Sequence, residues 1–327
     1  MQLLILSAQD VQNLMSFDLA YKADEEAYKA YSSNAAVQPP IINFGVEKHN
    51  GEFNIKTSYS GIGETMGVKI IGGFFDNAAK GLPAIMGIIA LFDGTTGAPV
   101  AILDGTGVTY YRTAAASAYA AKLLARPESS TLAIIGTGTL AHMHVQAMMH
   151  FFNFKKINIL GICPEDAEKM ASELKEQYPD TVIIPCTTGE QACADADIIN
   201  TATPSKDPIL KMEWIRPGTH INAFGADAEG KQELDETIIA SAKVVVDVLD
   251  ECVKLGECQT AIRKGLITRE DIYAEIGDIA LGNKPGREYD NEITVFDSTG
   301  MALQDICTVT GIYEKAKELG IGTYVEM

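Results

Sequence analysis

Thr131-Leu-Ala-Ile-Ile135-Gly136-Thr-Gly138-Thr-Leu-Ala141 is the segment from which the rest of the chain can be read. Its first five residues, aliphatic or β-branched, have the makeup of a buried parallel strand. They run into Gly136-x-Gly138-x-x-Ala141, and then into Leu140, Met143, His144, Ala147, Met148 and Phe151 at helical spacing. Strand, glycine turn and helix in this order form a dinucleotide fingerprint. The first glycine permits the tight turn, the second admits a pyrophosphate to the backbone, and the small Ala141 lets helix pack on strand. Free N–H groups at the helix start would hold the pyrophosphate. The plain alternative is an ordinary glycine turn, and the flanking strand and helix weigh against it.

Outward from this segment, strands and helices alternate. Candidate strands are 131–135, 157–160, 181–184, 198–202, 220–223 and 244–246, with helices between most of them, as at Pro164–Gln177. The pattern is α/β, a Rossmann doubly wound parallel sheet. The alternation ends near Phe296. A terminal helix, 302–319, follows with no strand expected after it, and it is expected to pack back on the first domain.

Towards the N-terminus the pattern changes. A short strand, 3–6, leads to a helix over 9–31, capped by Ser7 and stopped by Ser32-Ser-Asn34. From Pro39 to Asp104 short strands and turns suggest a separate α+β unit with an antiparallel sheet. Asn50-Gly51 reads as a two-residue hairpin turn, and Asp93-Gly94-Thr-Thr-Gly97 as the turn of a second hairpin. An alanine-rich helix, 109–126, is stopped by Pro127. The expected domains are 1–113 with 301–327, and 114–300 as the dinucleotide-binding domain.

The chain of 327 residues carries a net charge of −18 without any basic cluster, which argues against nucleic acid and anionic membranes as partners. No apolar run reaches the roughly 18 residues of a membrane span, and no signal peptide is evident. Six scattered cysteines without a C-x-x-C pair read as reduced, buried thiols of a cytoplasmic protein, and no zinc-ligand spacing appears. His142 and His144 fall on different helix faces and read as packing or surface residues.

Three charged residues stand where local physics would not choose them. Arg112 is read in the first turn of its helix, the positive end of the dipole, where a cation costs roughly 0.3–1 kcal/mol. Lys69 is the lone charge in Met66-Gly-Val-Lys69-Ile-Ile71. Asp227 follows a strand at its carboxyl end, where ligands bind in open α/β sheets. Taken singly, a solvated arginine, a gatekeeper lysine on an edge strand and a turn or helix cap are the better readings.

Together with other segments they carry a resemblance. Gly67-Val-Lys69, Arg112-Thr-Ala-Ala-Ala-Ser117, Ala196-Asp-Ile198, Pro217-Gly-Thr-His-Ile-Asn222, Gly225-Ala-Asp227 and Phe296-Asp-Ser-Thr-Gly300 resemble the ornithine cyclodeaminase/μ-crystallin family over nearly the whole chain. The resemblance implies that Lys69 and Arg112 bind a substrate carboxylate and that Asp227 handles protons on the substrate's nitrogen. It implies a homodimer formed by the non-Rossmann domain, which would also bind the substrate. Dinucleotide contacts are expected from Gly136, Thr137, Gly138, Thr139 and Leu140, with Thr113, Thr201, Thr203, Lys231 and Ser298.

Two departures bear on the substrate. The family's arginine after the paired prolines is replaced by Ile41, and Lys56 is the candidate substitute, a point contact where arginine is bidentate. Asn54 stands where ornithine cyclodeaminases carry a glutamate. The strand before Gly161-Ile162-Cys163 ends without an acid for the ribose or a cation for a 2′-phosphate, so the cofactor is NAD or NADP, with NAD favoured. The expected activity is hydride transfer at the α-carbon of a small amino or imino acid, by an imine reductase or amino-acid dehydrogenase. Alternatives are ornithine cyclodeamination and a non-catalytic, nucleotide-dependent ligand binder.

Overall fold

The computed structural model describes residues 2–327, side chains 75 and 78 excepted. The chain forms two compact units, Met1–Arg112 with Met301–Met327, and Thr113–Gly300.

The first unit is built on an eight-stranded sheet. Its order is Thr323–Glu326, Gln2–Leu6, Pro99–Asp104, Ile85–Asp93, Thr65–Phe74, Gly51–Ser60 and Ala36–Val37, with Ile42–Val46 also pairing to Gly51–Ser60. Among the described residues of this sheet only Gln2–Leu6 and Pro99–Asp104 pair in parallel. Strand alternation puts Leu4, Leu6, Ile89, Leu91, Ala101 and Leu103 on one face, all essentially without exposure. Against this face packs Ala302–Leu319, and Phe17–Ser32, buried along Ala20, Ala23, Ala27 and Tyr28, packs on that helix. The terminal helix comes close at Gly67, where an added Cβ would lie 2.4 Å from Ile306 Cδ1.

Four local expectations are corrected here. The single helix 9–31 is two helices, Ala8–Leu14 and Phe17–Ser32, because Met15 is extended and Ser16 caps the second by accepting from the Leu19 N–H. Ser7 caps the first in a reciprocal box with Asp10. Asn50-Gly51 is not a two-residue turn: Val46 pairs with Gly51, and the turn Glu47–His49 with left-handed Asn50 fills the gap. The strand carrying Lys69 is no edge strand, since it is paired on both sides. A strand does follow the terminal helix, with Thr323–Glu326 closing antiparallel on Gln2–Leu6.

The second unit is the expected doubly wound sheet, parallel throughout. Its order is Val182–Cys186, Lys156–Leu160, Thr131–Ile135, Ile198–Thr201, His220–Ala223, Thr294–Asp297, Lys243–Val246 and Ala274–Glu275. Both faces are covered. Leu132 and Ile134 join one apolar layer with Val145, Met148 and Leu174, while Ala133 and Ile135 join the other with Ile199, Ile221 and Val246. The order turns back beside Thr131–Ile135, so the crevice at the strands' carboxyl ends opens where the glycine turn lies. Among the described residues no helix is long and apolar enough to cross a membrane.

Candidate active site

At the carboxyl end of Thr131–Ile135 the chain turns sharply. Gly136 has φ +116°, and a Cβ there would meet the Ala202 carbonyl at 2.7 Å, so only glycine fits. Gly138 caps the helix Thr139–Phe151 and faces open space, with nothing within 4 Å of an added Cβ. A cavity of about 560 Å³ begins there, lined by Gly136, Thr137, Gly138, Gly161, Ile162 and Thr203 among others. Open backbone at a helix N-terminus, a tight glycine turn and a cavity on the crevice fit a dinucleotide. Of the other residues expected at the cofactor, Thr139 and Leu140 open that helix. The cavity wall does not include Thr113, Thr201, Lys231 or Ser298. Thr201 and Ser298 are buried and donate to Glu233 and Asp247, and Lys231 pairs with Asp227. Ile162, on the cavity wall, is almost wholly exposed, and Glu165 and Asp166 lie beyond it in the first turn of Pro164–Gln177.

The cationic residues gather in the first unit. Lys69 and Arg112 are both buried, and both lie against the carboxylate of Asp305, in the first turn of Ala302–Leu319. Lys69 Nζ is 2.7 Å from Asp305 Oδ2, and Arg112 Nε is 3.2 Å from Oδ1. Lys69 also donates to Thr109 Oγ1 at 3.2 Å. Lys56 stands directly opposite Lys69 across the strand pair. Burial pulls the Lys69 ammonium down to about 7, Asp305 opposing and Arg112 and Lys56 adding to it. Burial pushes the Asp305 carboxyl up, but the three cations outweigh it and hold it below the usual range. Behind Asp305, Gln304 donates to Asp24 Oδ1 and Tyr28 Oη, and burial raises the Asp24 carboxyl well above its ordinary value.

Two readings of these residues are corrected. The helix carrying Arg112 begins at Thr106, which puts Arg112 beyond the first turn. Arg112 and Lys69 are buried and paired, neither a solvated arginine nor an edge gatekeeper. Asp227, in contrast, is exposed in the loop after His220–Ala223 and is paired with Lys231.

Sequence reasoning missed the buried carboxylates. Glu233 accepts from the Thr201 hydroxyl, the Thr203 N–H and the Gly225 N–H, tying together the loops that follow two central strands. Asp247 accepts from Ser298 Oγ and the Gly300 N–H and so fixes the Ser298-Thr-Gly300 turn. A signal existed for Asp305: it falls four and seven residues before the buried Val309 and Ile312, on an apolar stripe where a charge needs a partner.

The model of the ornithine cyclodeaminase/mu-crystallin family matches residues 1–320. The chain belongs to this family. It is 37% identical over 326 residues to an alanine dehydrogenase of Archaeoglobus fulgidus, covering all of this chain and 99% of that one. Among solved structures it is similar to an archaeal alanine dehydrogenase dimer with bound NAD (TM-score 0.93, 38% identity, both chains covered in full). It is similar also to the Thermococcus litoralis Δ1-pyrroline-2-carboxylate reductase in complex with NADH and L-proline (TM-score 0.93, 36% identity, 98% of this chain and all of that one). Family and fold class are those read from the sequence.

Proposed function

We propose that this protein is an NAD-dependent oxidoreductase acting at the C–N bond of a small amino or imino acid, as an imine reductase or amino-acid dehydrogenase. The observation that carries this reading is the buried pair Lys69 and Arg112 against the single carboxylate of Asp305, with the half-buried Lys56 directly across the strand pair from Lys69. The excess positive charge suits a substrate carboxylate. The turn Gly136–Gly138 and the cavity beside it hold the dinucleotide, and the absence of a cation among the lining residues favours NAD over its 2′-phosphate form. The bound nicotinamide supplies the hydride to the substrate's α-carbon, or accepts it in the reverse direction. Asp227 gives a proton to nitrogen, or takes one in reverse. The relatives named above, an alanine dehydrogenase and a pyrroline-2-carboxylate reductase, support this chemistry.

The assembly is a homodimer, its subunits joined through the open face of the first unit's sheet. That face carries Val37, Ile88, Val68, Met66 and Phe92, and a cavity of about 450 Å³ is lined by Val37, Pro39, Met66, Val68 and Phe92 among others. A similar structure is described as a dimer. Six free thiols suit a reducing, cytoplasmic setting. The test is absorbance at 340 nm with NADH and either Δ1-pyrroline-2-carboxylate or pyruvate plus ammonia, and with ornithine and NAD. Consumption of NADH with an imine supports the proposal. Ammonia release from ornithine without net absorbance change would replace it with cyclodeamination, and dinucleotide binding without turnover would make the protein a binder.

A further inference from the structure

We propose that Asp305 is the positioning residue of the carboxylate-binding array, holding Lys69 and Arg112 in one fixed arrangement and supplying their counter-charge. The inference deepens the functional reading above and rests on it for the identity of the anion. Asp305 is fully buried, and it divides its two oxygens between the two cations, Oδ2 to Lys69 and Oδ1 to Arg112. One carboxylate on the terminal helix thus joins a strand residue to a residue of the helix Thr106–Leu124. It meets Arg112 at Nε, on the stem side, so this contact orients the guanidinium without using the edge between its two terminal nitrogens, which matches a carboxylate bidentately.

Charge explains why such a residue is needed. Lys56 and Lys69 are direct cross-strand neighbours, and like charges so placed repel. Arg112 adds a third cation. The second buried acid behind the array, Asp24, does not relieve this, because burial favours its neutral form. Asp305 offsets one charge and leaves the array positive, ready for one further anion. Without it, burial, Arg112 and Lys56 would all act to remove the Lys69 proton, and Asp305 is what opposes them.

The experiment follows the titration of Lys69 directly. The holo-protein with NADH is pulse-acetylated with acetic anhydride across pH, and labelling of Lys69 is quantified by peptide mass spectrometry in wild type, Asp305→Asn and Asp305→Glu. In the wild type the midpoint should fall near 7. In Asp305→Asn it should fall by about one unit or more, a roughly tenfold smaller protonated fraction above the midpoint, and Asp305→Glu should restore most of it. With Δ1-pyrroline-2-carboxylate and NADH, Asp305→Asn should raise KM by roughly tenfold or more while changing kcat less, and should move the alkaline limb of kcat/KM to lower pH. NADH affinity should not change. A folded Asp305→Asn protein with the wild-type Lys69 midpoint would overturn the proposal. If that variant does not fold, Asp305→Ser, which leaves room for water, carries the same comparison. A wild type that turns over none of the probes would refute the proposed function alone, because the labelling midpoints still judge Asp305.

Discussion

Replacing Glu233 by glutamine changes one acceptor atom at the place where two loops of the nucleotide crevice are tied. Glu233 is fully buried, and its carboxylate accepts three donors: Thr201 Oγ1 at 2.5 Å and the Gly225 N–H at 2.9 Å on Oε2, and the Thr203 N–H at 2.6 Å on Oε1. The Glu233 backbone is itself held, its N–H and that of Leu234 donating to the two oxygens of Glu257. The side chain therefore has little freedom to swing away. The least costly glutamine rotamer puts the amide oxygen at the Oε2 position and keeps Thr201 and Gly225. Its NH2 group then faces the Thr203 N–H, donor against donor. One bond is lost and a backbone N–H is left without an acceptor, at a cost of about 1–3 kcal/mol. Burial raises the Glu233 carboxyl, so a neutral amide is easier to bury, which places the net cost toward the lower end. For a unit of this size each kcal/mol lowers Tm by roughly 2–4 °C. Thr203 lines the cavity, so loosening its loop should also weaken NADH binding, by roughly tenfold if about 1.4 kcal/mol of preorganisation is lost. Thermal denaturation with and without NADH, and a fluorescence titration of NADH, measure both effects. An unchanged Tm together with an unchanged NADH Kd would refute the assignment of Glu233 as the clamp.

Further outcomes follow from the same geometry. Gly138→Val should fold, since its side chain enters open space, yet lose dinucleotide binding because that space is the cofactor's; calorimetric titration with NADH checks this. Asp227→Asn keeps size but removes the proton-transferring group, and should lower kcat by roughly 10²–10⁴-fold with NADH affinity nearly unchanged, read by steady-state kinetics. Arg112→Ala should chiefly raise KM for the carboxylate substrate, and it leaves Asp305 with Lys69 alone, so a lower Tm should accompany the kinetic change. Sedimentation at micromolar concentration should give a dimer, and Ile88→Asp on the open sheet face should give a monomer.

What could be read in the sequence was whatever has a period or a local signature. The glycine turn announced itself because a strand of five aliphatic or β-branched residues and an amphipathic helix flank it, and both faces of that strand are buried. The break at Met15 left no such trace: apolar spacing continues across it, and only Ser16, one polar residue among several, marks the new cap. The strand Thr294–Asp297, which lies between two other parallel strands, has only Val295 and Phe296 as apolar residues, with polar Thr294 and Asp297 at its ends. Thr323–Glu326 is exposed along its length and owes its conformation to its partner Gln2–Leu6 rather than to its own pattern.

The candidate site divides along a different line. Lys69 was conspicuous as the lone cation of an apolar run, and Arg112 as a cation read at the positive end of its helix; a contradiction of that kind can be seen in one dimension. Their partner was not, because Asp305 stands at a helix start, where an acid agrees with the dipole and invites no question. Glu233 and Asp247 were hidden in the same way, as ordinary acids in loop-rich sequence whose donors stand up to 53 residues away. A buried charge is energetically incomplete alone, so every such residue implies a second one that the sequence places elsewhere. The apolar stripe offers the means of finding it. Asp24 lies one turn before Tyr28 and Asp305 one turn before Val309, each on the buried face of its helix. A carboxylate at such a position must be neutral or paired; burial pushes Asp24 toward the first course, while Lys69 and Arg112 hold Asp305 to the second, which is why Asp305 supplies their counter-charge.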